Sequence, residues 1–113
     1  MSQFERNTLE SGVVVVKPTG KLNMVAAPML RKELQAVVEG GQRHIVVDLS
    51  GVEFVDSSGL GALISGLKAA RQAGGDLRVA APSRQVTTVL ELTNLNRVLR
   101  VHPSAESAYD DKP

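Results

Sequence analysis

Two kinds of hydrophobic repeat alternate along this chain. Short β-branched runs stand at Val13 to Val16, His44 to Leu49 and Leu77 to Ala81, and between them apolar residues recur every three or four positions. The four successive valines lack the alternation of a half-exposed strand, which predicts a strand covered on both faces, with helices packed on its sheet. Phe4 to Leu9 reads as a further short strand. Glu10, Ser11 and Gly12 supply turn chemistry between it and the valines, so the pair reads as a hairpin.

Pro18 to Lys21 breaks the valine strand. From Ala27, the residues Leu30, Leu34, Val37 and Val38 mark an amphipathic helix, with Pro28 in its first turn and Gly40-Gly41 as its stop. After the run His44 to Leu49 come Ser50-Gly51 and a short extended piece, Val52 to Val55. Asp56-Ser57-Ser58 is a cluster of N-cap residues, and Leu60, Leu63, Ile64 and Leu67 follow at helical spacing towards a stop at Gly74-Gly75. Beyond the strand Leu77 to Ala81, Pro82-Ser83 opens a helix with Val86, Val89 and Leu90 on one face. Val98 to Val101 predicts a last strand, and Pro103-Ser104 the start of a short final helix. A hairpin followed by alternating strands and helices defines an α/β protein with a mixed sheet.

Length and composition narrow the picture. With 113 residues, 42% hydrophobic and 22% charged, the chain suits one globular domain, residues 1–113, with a core over about 4–108 and a polar tail at 109–113. Thirteen basic and 12 acidic residues leave a net charge of +1 without a concentrated basic patch, so direct nucleic-acid binding is not expected. The helix after Pro82 offers Arg84, Gln85, Thr87 and Thr88, which read as a solvated face with few cations beside them for phosphate contacts. The absence of cysteine suits a reducing cytoplasm, and no segment reads as a signal peptide or membrane span.

Catalytic signatures are missing. His44 and His102 stand alone, His44 at the start of a strand where a structural role is expected, and neither has a metal-site spacing. Gly59, Gly61 and Gly66 fail the spacing of a dinucleotide fingerprint, no Gly-Lys-Ser or Gly-Lys-Thr forms a phosphate loop, and Asp56 stands where a nucleophile elbow needs glycine. Neither enzyme activity, a cofactor nor a metal is expected.

The informative stretch runs from Val46 to Gly61, VVDLSGVEFVDSSGLG. It feeds a buried strand through a tight turn and delivers two hydroxyls at the positive end of a helix. On capping chemistry alone, Ser57 or Ser58 could simply be the N-cap. The stretch resembles the signature of STAS domains, in particular the anti-sigma factor antagonists. Asp56-Ser57-Ser58-Gly59-Leu60 carries the likeness, and Ser58 matches the serine that a partner kinase phosphorylates. Gly20-Lys21-Leu22-Asn23 with Ala27 to Leu34 resembles the family's first loop and helix. Leu92-Thr93-Asn94-Leu95 with Val98 and Leu99 resembles its C-terminal segment. Position 23 departs from the pattern, with Asn23 where many relatives carry aspartate; the hydrogen-bonding carbonyl is kept and the charge removed.

The resemblance implies a single STAS-type α/β domain, with about four or five strands packed with about four helices. It further implies an antagonist that, unphosphorylated, binds an anti-sigma factor, itself a serine kinase, and so frees a sigma factor. Phosphorylation of Ser58 ends that binding, and a PP2C-type phosphatase reverses it. Asn23, Met24, Asp56, Ser57 and Gly59 are the expected contact surface around Ser58, with Gly59 letting the partner approach closely. Such a protein works as a monomer or small oligomer. The alternatives are a scaffold subunit of a stress-sensing complex, an accessory subunit of a transporter, or a nucleotide-binding enzyme.

Overall fold

The valine run organises the architecture because it has to be covered twice. The computed structural model describes residues 4–109. In chain order its elements are β1 (Glu5–Thr8), β2 (Val14–Lys17), β3 (Thr19–Leu22), α1 (Ala27–Glu39), β4 (His44–Asp48), β5 (Gly51–Val55), α2 (Ser57–Gln72), β6 (Asp76–Ala80), α3 (Arg84–Leu92), a 3-10 turn (Leu95–Arg97) and β7 (Val101–His102). A five-stranded mixed sheet has the order β1-β2-β4-β6-β7, with β1 antiparallel to β2 and the remaining neighbours parallel. Val14, Val16, Ile45, Val47, Leu77 and Val79 enter one core with Leu30 and Leu34 of α1 and Leu60, Leu63 and Leu67 of α2. Ile64, expected in that stripe, is only half-buried at its margin.

The opposite face of the sheet is covered by something other than a helix. Val13, Val15, Val46 and Ala80 pack there against Ala105, Ala108 and Tyr109. In place of the helix expected after Pro103, residues 105–109 form a run of turns. Arg78 fixes this strap from below. Only 8% exposed, it donates from Nη1 to the Ala108 carbonyl at 2.7 Å and from Nε to the Asp76 carboxylate at 3.2 Å, and its guanidinium lies 4.3 Å from the centre of the Tyr109 ring. His44 meets the same ring edge-on at 5.4 Å. The Tyr109 hydroxyl lies 2.8 Å from the Ile45 carbonyl oxygen and 2.9 Å from that of Asp76. Tyr109 is therefore an anchor and not the first residue of a frayed tail; the rest of the expected tail, 110–113, lies outside the described residues. Tyr109→Phe should cost about 0.5–1.5 kcal/mol, the net worth of one hydrogen bond. An unchanged urea midpoint would show that the hydroxyl holds nothing.

Three further expectations need correction. The residues after Pro18 are not merely a break: Pro18 ends β2, and the chain re-enters extended structure as β3, which pairs in parallel with β5 in a separate two-stranded sheet. Gly20 adopts a φ of +80° next to a register shift between Gly20 and Lys21. The final strand is shorter and later than Val98 to Val101, because Asn94, at a φ of +60°, turns the chain into the 3-10 segment and Leu99 is drawn fully into the core. Among the described residues there are three α-helices and one 3-10 turn where about four helices were expected.

Candidate partner-binding site

Parallel pairing of β3 with β5 sets Leu22 opposite Val55, so both strands release their chains at the same end of the small sheet. The Asp56 N–H closes that end by donating to the Leu22 carbonyl at 3.2 Å. Two loops of chemical interest are thereby brought together. One is residues 23–26 leading into α1; the other is Asp56 leading into α2.

Asp56 is extended (φ −111°, ψ −174°), and its Oδ1 accepts from the Gly59 N–H at 2.9 Å, while its own carbonyl accepts the first helical bond from Leu60 at 2.9 Å. Asp56 is thus the N-cap of α2. Neither serine does that work, which corrects the simple capping reading. Ser57 and Ser58 occupy the first helical turn, Ser57 exposed and Ser58 half-exposed, and among the described residues neither hydroxyl has a hydrogen-bond partner.

On the other loop, Asn23 Oδ1 accepts from the N–H groups of Val25 at 3.0 Å and Ala26 at 3.2 Å. A carboxylate oxygen would fill this acceptor role equally well, so asparagine keeps the loop's shape while leaving it uncharged. Met24 and Val25 project from the loop and are 72% and 76% exposed. Val25 was missed in the sequence because a lone β-branched residue in a loop belongs to no periodic stripe.

Gly59 serves a different purpose from the one expected. It is buried, and a Cβ on it would stand 2.2 Å from the Leu22 carbonyl oxygen and 2.9 Å from a Val55 methyl. The close approach that glycine permits is between α2 and the end of β3, inside the protein. Asn23, Met24, Asp56, Ser57 and Ser58 thus sit on or beside one end of the small sheet, with Gly59 beneath them. Open grooves flank this end, one lined by Lys21, Asn23, Phe54 and Gln85, the other running along α2 past Ser57, Gly61, Ile64 and Lys68. Among the described residues, no group of three His, Asp or Glu side chains is placed to share a metal, and no helix is long and apolar enough to cross a membrane.

The STAS domain model matches residues 7–108, and the chain belongs to that family. Among its relatives, the anti-sigma-B factor antagonist of Staphylococcus aureus is 32% identical over 91 residues, covering 80% of this chain and 84% of the relative. The crystal structure of an anti-sigma factor antagonist from Mycobacterium paratuberculosis superposes with a TM-score of 0.84 at 30% identity, covering 96% of this chain and 91% of the other. The phosphorylated form of the Bacillus cell-fate determinant SpoIIAA shares the fold at a TM-score of 0.73 and 20% identity, covering 97% and 99%.

Proposed function

We propose that this protein is an anti-sigma factor antagonist whose unphosphorylated form binds an anti-sigma factor with serine-kinase activity and so releases a sigma factor. Phosphorylation of Ser58 by that kinase ends the complex, and a PP2C-type phosphatase restores it. The observation that carries this reading is the spare hydroxyl of Ser58. Asp56 already caps α2, so Ser58 stands half-exposed without a structural bond among the described residues, beside the uncovered side chains of Met24 and Val25. The names borne by the relatives from Staphylococcus and Mycobacterium support the same reading. Asn23, Met24, Asp56, Ser57 and Ser58 form the contact surface, and Gly59 contributes by holding α2 against β3. The chain works as a single cytoplasmic domain, monomeric or in a small oligomer, and is a substrate and competitor without catalysis of its own.

Capture of the tagged protein from its native cell, followed by phosphosite mass spectrometry, tests this directly. An anti-sigma factor should co-purify, and the modification should map to Ser58. A phosphate mapped elsewhere, or a capture without any anti-sigma factor, would overturn the reading.

Asn23 provides a second test at the same surface. Asn23→Asp retains the acceptor for Val25 and Ala26, so the fold should be unchanged. The added negative charge lies at the end of the small sheet where α2 begins, and it should disfavour the phosphoserine dianion more than the neutral serine. Phosphorylation by the kinase should slow or dephosphorylation should quicken, and identical rates in both directions would remove Asn23 from the functional surface.

A further inference from the structure

Arg31 is an arginine without an evident task. It is exposed on α1, and its guanidinium lies across Gly61 of α2, with Nη2 3.6 Å from where a Cβ on Gly61 would stand. Among the other arginines, Arg6 pairs with Glu33 at 2.7 Å, and Arg71 and Arg78 with Asp76 at 3.4 and 3.2 Å. Arg31 has no hydrogen-bond or ion-pair partner among the described residues. Gly61 comes one helical turn after Ser58, and residues three apart on a helix hold their Cβ positions about 5–6 Å from each other. Ser58 and the Arg31 guanidinium therefore flank the same bare stretch of α2, with no side chain on Gly61 to separate them.

We infer that Arg31 is the counter-charge for phosphoserine at position 58. This rests on Ser58 being the phosphoacceptor. On phosphorylation the guanidinium leaves Gly61 and takes two phosphate oxygens in a bidentate pair, the geometry for which arginine is suited and lysine is not. The pair offsets the repulsion between the phosphate and the Asp56 carboxylate, which is held in place by the Gly59 N–H. It also ties α1 to α2 in the phosphorylated form alone.

The test installs phosphoserine at position 58 during translation, without any kinase, and follows its ³¹P resonance through a pH titration. In the otherwise unaltered protein the phosphate should titrate about half a pH unit lower than in Arg31→Gln, as expected for an anion beside a cation. Arg31→Lys should fall between the two, and the difference should shrink at high salt. Lys32→Gln removes an equal charge one position along α1 and should leave the titration where it was. Equal titrations with and without Arg31, or a shift as large from Lys32→Gln, would overturn the inference. Because the phosphate is placed without a kinase, either result leaves the assignment of the acceptor to the mass-spectrometric experiment, and a phosphosite elsewhere would in turn leave this titration intact.

Discussion

With Ser58 phosphorylated, the protein is expected to bind its anti-sigma factor roughly thirtyfold to several thousandfold more weakly than the unmodified chain, with an unaltered circular dichroism spectrum. Phosphorylation adds about 1.5 to 2 negative charges at pH 7. Within the free protein that charge is tolerable, because Ser58 lies in the first turn of α2, where helix amides and solvent both receive it. At the interface the same group would have to be desolvated beside Asp56. Truncated or mispaired buried charges at interfaces cost about 2 to 5 kcal/mol, which is that range of affinity. Ser58→Asp should weaken binding in the same direction, whereas Ser58→Ala should keep binding and hold the sigma factor free. Isothermal titration with the purified partner measures all three. A phosphorylated protein that binds as tightly as the unmodified one would end the proposal.

Gly59→Ala is expected to be the most damaging single methyl group that can be added near the site, and Gly61→Ala, two residues away, to have the opposite sign. The new Cβ at position 59 would meet the Leu22 carbonyl oxygen at 2.2 Å, a backbone atom that no rotamer change can move aside. Relief requires α2 to withdraw from β3, which also breaks the bond from the Asp56 N–H to Leu22. Overpacking of about 1–3 kcal/mol and a lost hydrogen bond of about 1 kcal/mol together place the cost at the top of that range or beyond. Partner binding should fall with it, because loop 23–26 and the start of α2 would no longer be held together. At Gly61 the nearest obstacle is the Arg31 side chain at 3.6 Å, so alanine fits and should stabilise the helix by about 0.4–1 kcal/mol. Urea denaturation of the two variants checks the contrast; a Gly59→Ala protein as stable as its parent would show that β3 and α2 do not approach as described.

The parts of the fold legible in the sequence were those in which one physical signal dominated a continuous stretch. Val13 to Val16, buried alternately in the two cores, read as a doubly covered strand, and α1 ended at the glycines that mark its stop. β3 was illegible for the opposite reason. It follows Pro18 directly and contains Gly20 at positive φ, and it pairs with residues more than thirty positions later, so no local feature announces a strand. After β7 the sequence predicts a helix where the structure has the strap, because the strap is held by Arg78 and Tyr109, whose meeting is a long-range event. At the site, the motif Asp56-Ser57-Ser58-Gly59 was visible at once, yet the division of labour within it was not. Which residue caps the helix, and whether glycine makes room for a partner or for Leu22, depends on where β3 ends.

The strap also sets the order in which a growing chain can complete this domain. Every strand of the central sheet except the two-residue β7 has been synthesised by Ala80, yet Val13, Val15 and Val46 cannot be covered until Ala105, Ala108 and Tyr109 have cleared the ribosome. Until then one face of the sheet is an apolar surface open to solvent or to a chaperone. Covering of this face therefore comes last among the described elements in the order of synthesis, and Arg78, waiting for the Ala108 carbonyl, is the latch that closes it.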